Sequence, residues 1–162
     1  MKKIVLIVMI ISFSGCCFET PTEFTEASLT EEFVTLTDEE IAIGEILSKY
    51  QGKKVLIDVW ASWCKDCIVR LPKLKEFQRE NPEIVYLFLS LDKSTRSWKS
   101  AIDRLGIKGE HFFMQAGKKG TFGKFLDLWW IPRYVVLDEN GKITLYKATK
   151  ITDKNIVQAL KK

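Results

Sequence analysis

Residues 55–67 read Val55-Leu56-Ile57-Asp58-Val59-Trp60-Ala61-Ser62-Trp63-Cys64-Lys65-Asp66-Cys67, and they indicate the fold class most clearly. Its first half is almost continuously apolar, which is typical of a strand buried on both faces. The segment that follows, residues 65–80, carries apolar side chains at helical spacing. A buried strand that passes directly into a helix predicts an α/β unit.

The remainder of the chain continues this alternation of strands and helices. Further strands are predicted at residues 33–36, 83–91, 111–114, 134–137 and 143–146. Helices are predicted at residues 41–49, 96–105, within 121–129 and at 152–160. Thr37-Asp38-Glu39-Glu40 offers a cap and an acidic first turn for the helix over 41–49. The order of these elements indicates an α/β sandwich with a central mixed β-sheet flanked by helices.

The two cysteines of this stretch predict thiol chemistry. Cys64 is expected at the helix N-terminus, where unpaired N–H groups and the helix dipole stabilise a thiolate. Cys67 lies one turn further on the same face, so the two sulfurs can bond. In this interpretation the exposed Cys64 attacks a disulfide and the sheltered Cys67 resolves the mixed intermediate.

Three other interpretations of the cysteine pair compete with this one. A zinc site would need two more ligands, and only His111 and the N-terminal cysteines could supply them, so no metal is expected. A purely structural disulfide across one helical turn would constrain little. An inactive descendant of the fold is the third alternative, and the retention of both cysteines argues against it.

The segment from Trp60 to Cys67, with Leu71-Pro72 downstream, resembles the TlpA/ResA-type thioredoxin-like reductases of bacterial envelopes. The resemblance covers residues 33–162 and implies a thioredoxin-like domain that reduces protein disulfides. It implies an upstream thiol electron donor, and no cofactor besides the redox-active Cys64–Cys67 disulfide. Asp66 departs from the family, whose members often have proline before the second cysteine, and this departure puts the redox potential in doubt.

The same resemblance extends to Ile131-Pro132, which precedes an apolar strand. It implies that Pro132 is cis and faces the cysteine pair, and that the Ile131 backbone pairs with an incoming peptide as an extra strand. A plain loop proline before a strand is the alternative. From their positions beside Cys64 and Pro132, Trp63 and Trp130 are predicted to line a substrate groove.

Asp58 interrupts an apolar strand, and a buried carboxylate without a partner is costly. It stands six residues before Cys64, as a buried aspartate does in thioredoxins, and the resemblance implies that it accepts a proton from Cys67. An aspartate paired with Lys53 or Lys54 at the sheet edge is the alternative. Asp58 is therefore a candidate catalytic residue together with Cys64, Cys67 and Pro132.

The first residues of the chain have a different character. Lys2 and Lys3 precede an apolar run at residues 4–11, which together predict a signal peptide over residues 1–15. Ser14-Gly15-Cys16 resembles the bacterial lipobox, which implies lipid attachment at Cys16 and leaves Cys17 without a role. We therefore expect a lipid-anchored protein of the cell envelope, on the periplasmic or outer side of a bacterial membrane.

Charge is divided unevenly along the 162 residues. Residues 17–40 carry eight acidic and no basic side chains, and residues 16–32 are predicted to form an acidic tether. Residues 41–162 carry 23 basic and 13 acidic side chains, a net charge of +10. An export signal argues against a nucleic-acid partner for this basic domain.

Two other function classes remain open from the sequence. One is a redox-silent binding module, such as a chaperone or a metallochaperone. The other is a thiol peroxidase, but this chemistry usually needs Thr or Ser three residues before the attacking cysteine, where Ala61 stands.

Overall fold

The computed structural model describes residues 20–161, which form a seven-stranded mixed sheet with helices on both faces. The strands are β1 (Glu32–Val34), β2 (Glu40–Ala42), β3 (Val55–Trp60), β4 (Val85–Ser90), β5 (Glu110–Phe113), β6 (Arg133–Leu137) and β7 (Ile143–Ala148). The helices are α1 (Glu26–Leu29), α2 (Ile43–Ser48), α3 (Lys65–Glu80), α4 (Thr95–Leu105), α5 (Thr121–Phe125) and α6 (Lys154–Ala159), and a 3-10 turn spans Gly117–Lys119.

The sheet order is β2-β1-β5-β4-β3-β6-β7. The central strands β3, β4 and β5 are parallel, and all other neighbours are antiparallel. β3 lies between β4 and β6 and is buried along its whole length. Burial on both faces explains its continuous apolar run, as predicted from the sequence. The α/β class with a mixed sheet and flanking helices is therefore confirmed.

Two apolar cores lie on opposite faces of this sheet. Side chains of α2 and α5, including Ile43 and Phe122, pack on one face. Side chains of α3, α4 and α6, including Leu74, Trp98 and Ile156, pack on the other. The two layers hold β3 rigidly, so its last residue has a fixed position from which the loop to α3 departs.

The predicted helix start at Thr37–Glu40 is wrong. Thr35 and Glu39 close a tight turn, with the Thr35 N–H donating to the Glu39 carbonyl at 2.8 Å. Asp38 has a φ of 65°, a left-handed conformation that Asp tolerates better than most residues. The next residues form β2, whose Ile41 pairs with Phe33, so α2 begins only at Ile43. Cross-strand pairing of apolar side chains outweighs the local capping signal here.

The N-terminal segment also differs from the predicted free tether. Residues 26–29 form α1, capped by Thr25, and Ser28 is fully buried. Phe24 stacks on Phe122 at 5.5 Å between ring centroids, and this apolar contact fixes a segment whose composition is otherwise polar. The boundaries of the domain remain a prediction.

The predicted signal peptide over residues 1–15, the predicted lipid-attachment residue Cys16 and the unassigned Cys17 lie outside the described residues. Within residues 20–161, no helix has the length and apolar character needed to cross a bilayer.

Candidate active site

The cysteine pair lies where β3 gives way to α3. Cys64 is the N-cap residue of α3, and its sulfur accepts a hydrogen bond from the Cys67 backbone N–H at 3.1 Å. The two cysteines form a disulfide, with their Cα atoms 5.3 Å apart. A sulfur at a helix N-terminus sits among unpaired N–H donors, and this environment favours the thiolate that forms on reduction.

The two cysteines have different surroundings, but their solvent exposures differ from the prediction. Cys64 is only 6 % exposed, whereas Cys67 is partly exposed, the reverse of the expected order. Cys64 nevertheless lines a surface groove. Cys67 instead lines a small internal cavity together with Asp58. The neighbours that flank Cys64, including Ile131, account for its low exposure.

The Ile131–Pro132 peptide bond is cis, as the family resemblance implied. The Ile131 carbonyl oxygen lies 3.7 Å from the Cys64 sulfur, so this loop and the cysteine pair form one site. β6 begins at the next residue, Arg133, and pairs antiparallel with β3. The sheet therefore places Ile131 next to a residue that lies 67 positions earlier in the chain.

Tryptophan side chains surround the groove. Trp63, Trp129 and Trp130 are 54 %, 62 % and 45 % exposed. The groove has a volume of about 410 Å³, and Lys65, Asp66 and Lys118 complete its rim. Trp63, Trp130 and Ile131 were predicted at this position, whereas Trp129 and Lys118 were missed. Trp129 could have been predicted from its position next to Trp130, whereas no local feature of the sequence indicates Lys118.

Arg133 was also missed by sequence reasoning. It is completely buried, and its guanidinium donates to the Leu126 carbonyl and, at 3.1 Å, to the Asp127 carbonyl. Burial lowers the pKa of Arg133 from its ordinary value. These bonds tie the start of the loop that carries Trp129 and Trp130 to the first residue of β6.

A second buried polar contact holds the loop between β3 and α3. The Asp92 carboxylate accepts from the Ser62 backbone N–H at 3.1 Å, from the Ser62 hydroxyl at 2.5 Å and from the Ser90 hydroxyl at 2.8 Å. Asp92 is 6 % exposed. Because Ser62 lies two residues before Cys64, this carboxylate fixes the approach to the cysteine pair. The sequence gives no local sign of this pairing across 30 residues.

Asp58 is buried beneath Cys67. Desolvation raises its pKa to about 8, and its Oδ1 atom has no hydrogen-bond partner within the described chain. Its neighbours in the small cavity are mostly apolar, including Trp60, Leu71 and Phe88. Such a carboxyl can change protonation state near neutral pH.

The alternative in which Asp58 pairs with a lysine does not match the geometry. Lys54 lies at the opposite end of β3, where it contacts Glu139 at 3.5 Å and donates to the Leu160 carbonyl. Within residues 20–161, no salt bridge joins Asp58 to Lys53 or Lys54.

Two further features lie outside the tryptophan groove. His111 stacks on Phe88 at 5.0 Å, and no group of three or more His, Cys, Asp or Glu side chains suited to a metal occurs in the described range. A larger crevice of about 650 Å³ lies at the other end of the sheet, around Tyr50, Lys53 and Tyr86. It contains none of the predicted site residues, so the groove beside Cys64 is the better candidate.

Comparison with known proteins places this site in a family. The Redoxin family model matches residues 46–160. The thioredoxin-like protein YneN of Bacillus subtilis is 25 % identical over 96 % of this chain and 94 % of its own length. The thiol:disulfide interchange protein DsbE of Haemophilus influenzae is 29 % identical over 68 % of this chain and 59 % of its own length.

Solved structures agree with these relatives. A thiol-disulfide oxidoreductase from Bacteroides vulgatus superposes with a TM-score of 0.65 and 29 % identity, over 80 % of this chain and 82 % of that one. One from Bacteroides fragilis has a TM-score of 0.66 at 20 % identity, over 84 % and 98 % of the two chains, which supports the fold. With its Cys64–Cys67 pair in the matched fold, the chain belongs to the Redoxin family and is a thioredoxin-like thiol–disulfide oxidoreductase of the TlpA/ResA/DsbE type.

Proposed function

We propose that this protein is a lipid-anchored reductant of protein disulfides, acting on the periplasmic or outer side of a bacterial membrane. The observation that carries the proposal is the division of the cysteine pair between two environments. Cys64 lines the tryptophan groove, where a substrate can approach. Cys67 lines the internal cavity that contains Asp58, where a proton can be removed.

The first step is attack by the Cys64 thiolate on one sulfur of a substrate disulfide. A bond forms between Cys64 and that sulfur, and the substrate disulfide breaks, releasing its second cysteine as a thiolate. The Cys67 N–H, 3.1 Å from the Cys64 sulfur, and the N-terminus of α3 support the negative charge on Cys64 before attack.

The second step is resolution by Cys67. Ionised Asp58 takes the Cys67 proton, the Cys67 sulfur attacks Cys64, and the Cys64–Cys67 disulfide forms. The substrate's remaining cysteine leaves as a thiolate and takes a proton from solvent. Two electrons have then passed to the substrate, and an upstream thiol donor must restore the Cys64–Cys67 dithiol.

The groove suits a protein substrate better than a small thiol. Its three exposed tryptophans offer apolar contact to an unfolded or partly folded chain. The Ile131 carbonyl, beside the Cys64 sulfur, is the backbone group expected to pair with an extended peptide.

Direction and substrate class are tested by two measurements. A midpoint potential near that of thioredoxin, about −270 mV, supports a reductant, and one near that of DsbA, about −120 mV, contradicts it. The Cys67→Ser variant should accumulate DTT-sensitive adducts with envelope proteins, which mass spectrometry can identify. Cys64→Ser is the control; equal trapping by this variant would contradict the assignment of attack to Cys64 and resolution to Cys67.

The anchor rests on the lipobox-like Ser14-Gly15-Cys16. Cys16→Ala should release the protein from membranes or leave it unprocessed, and Cys17→Ala should do neither. Detergent-phase partitioning that is unchanged by Cys16→Ala would remove the lipid anchor from the proposal.

A further inference from the structure

Lys118 brings a positive charge to the tryptophan groove, and its side chain is held against the loop that carries two of the tryptophans. The Lys118 Nζ atom donates to the Trp129 carbonyl oxygen at 3.3 Å. An ammonium group has three N–H donors, so two of them remain for other acceptors. Because Lys118 lines the groove, these donors are within reach of a peptide that is bound there.

The backbone at Lys118 is fixed by close packing on α5. Gly117 precedes it with a φ of 57°, a left-handed conformation that glycine adopts without steric cost. A Cβ atom at Gly123 would stand 2.8 Å from the Lys118 Cα atom, so the 3-10 turn and α5 touch main chain to main chain. The Gly123 carbonyl also accepts from the Leu128 N–H at 3.1 Å. One residue of α5 therefore holds both Lys118 and the start of the loop that contains Trp129.

The two charges of α3 at the groove are balanced by their own surroundings. Lys65 is the first residue of α3 and follows Cys64, so its positive charge offsets that of the Cys64 thiolate in the reduced protein. Asp66 lies in the first turn of α3, where the helix dipole favours a carboxylate. Neither charge therefore needs a substrate group of opposite sign.

The charge of Lys118 is not balanced in this way. Asp127, which precedes the tryptophans in the chain, pairs with Lys147 at 3.3 Å. Lys147 in turn lies over the Trp129 ring, 5.4 Å from its centroid. Within residues 20–161, no salt bridge involves Lys118. A carboxylate that enters the groove would thus meet a lysine whose charge is not already paired.

The position of Lys118 relates this charge to the reacting sulfur. Trp129, whose carbonyl binds Lys118, lies two residues before Ile131, and the Ile131 carbonyl is 3.7 Å from the Cys64 sulfur. Two residues span at most about 7 Å between their Cα atoms. A peptide whose cysteine has reached Cys64 therefore places the residues within two positions of that cysteine close to Lys118.

Resting on the proposed function, we infer that Lys118 selects disulfides whose reacting cysteine has an acidic residue within two positions. The carboxylate of that residue accepts from the Lys118 ammonium group, and apolar neighbours pack on the tryptophans. The chemistry is unchanged. Cys64 and Cys67 become a disulfide, and the substrate disulfide becomes two thiols.

The experiment uses three symmetric peptide disulfides and the full chain in its reduced form. Each peptide disulfide joins two copies of one short sequence through its single cysteine, so that the two sulfurs are equivalent. The residues two positions before and after this cysteine are both Glu, both Gln or both Lys. The rate constant of a single turnover is measured at about 20 mM ionic strength, where charges are weakly screened. Each value is divided by the rate constant of the same peptide with DTT, which removes differences in intrinsic reactivity.

We expect the normalised rate of the Glu peptide to exceed that of the Gln peptide about three- to fivefold, and the Lys peptide to be the slowest. In about 0.5 M salt the three rates should agree within about twofold, because the screening length falls to about 4 Å. Lys118→Gln should abolish the difference between the Glu and Gln peptides. Lys118→Arg should retain the native order, and Lys118→Glu should make the Lys peptide the fastest.

Lys119→Gln is the matched control, because it removes one positive charge from the same 3-10 turn and should keep the preference. Equal normalised rates for the three peptides with the native chain would overturn the inference and leave the proposed function intact. Loss of the preference in Lys119→Gln as well would assign it to the general charge of the surface, and would also overturn the inference. Failure of the reduced chain to reduce the three peptides and insulin would refute the proposed function, and the inference with it.

Discussion

Cys67 donates its backbone N–H to the sulfur of Cys64 at 3.1 Å, so the residue proposed to resolve the mixed disulfide is bonded to the sulfur proposed to attack. This bond exists because Cys64 is the N-cap of α3 and its side chain takes the place of a capping oxygen. One helical turn thereby couples the two steps of the exchange.

The first prediction concerns the proton that leaves Cys67. Because burial raises the pKa of Asp58 to about 8, only on the order of a tenth of the molecules hold it ionised at pH 7. Resolution of the mixed disulfide should accelerate as pH rises towards a midpoint of about 8. Asp58→Asn should slow it about 10- to 100-fold and leave formation of the mixed disulfide unchanged.

Rapid-quench measurement of both steps between pH 6 and 9 checks this prediction. Asp66→Asn is the matched control, since Asp66 is also near the cysteines but lines the groove. An unchanged rate of resolution in Asp58→Asn would make Asp58 a structural residue.

The second prediction concerns stability. The pKa of Asp58 in the folded chain, about 8, lies above its unfolded value near 4, so the folded state binds more protons between these values. The free energy of unfolding of the oxidised protein should therefore fall as pH rises from about 4 to about 8, and level off above. Relative to this curve, Asp58→Asn should be more stable at pH 7 by up to about 4 kcal/mol.

Urea unfolding of both proteins across this range gives the difference curve, in which other titrating groups cancel. A difference that does not change between pH 5 and pH 8 would contradict the raised pKa of Asp58.

The third prediction concerns the Ser62–Asp92 contact. Removing the Ser62 hydroxyl costs one hydrogen bond to a buried carboxylate, and we expect Ser62→Ala to lower the free energy of unfolding by about 1.5–3 kcal/mol. Asp92→Ala should cost more, because it also leaves the Ser62 N–H and the Ser90 hydroxyl without their acceptor. A double-mutant cycle measured by urea unfolding should give a coupling energy of about 1–2 kcal/mol. Additive effects would show that the contact contributes nothing of its own.

The fourth prediction treats Arg133 as a positioning residue for the tryptophan groove. Arg133→Met removes its bonds to the Leu126 and Asp127 carbonyls and should loosen the loop that follows. We expect KM for a protein disulfide to rise about 3- to 10-fold, with the rate towards oxidised glutathione unchanged. Lys124→Met, which removes an exposed positive charge on α5, is the control. Equal losses on both substrates would indicate general damage to the fold.

The periodicity of the chain is sufficient to predict most of its elements. The strand at residues 55–60 and the helix at residues 65–80 coincide with β3 and α3, because their burial patterns differ so clearly. Prediction failed at residues 37–40, where local capping residues suggested a helix. Pairing of Phe33 with Ile41 between β1 and β2 makes the chain continue as a strand after this turn, and no local sequence pattern indicates such pairing.

The α/β fold and the Cys64–Cys67 pair can be predicted from the chain alone, because hydrophobic periodicity and a two-residue spacer between cysteines are local properties. The surroundings of the pair depend on contacts between residues that are distant in the chain. Asp92 reaches Ser62 across 30 residues and Ile131 reaches Cys64 across 67, since β4 and β6 both lie beside β3. The N-terminal segment follows the same rule: its polar composition predicts a tether, but Phe24 meets Phe122 only after the sheet and α5 have formed a surface to receive it.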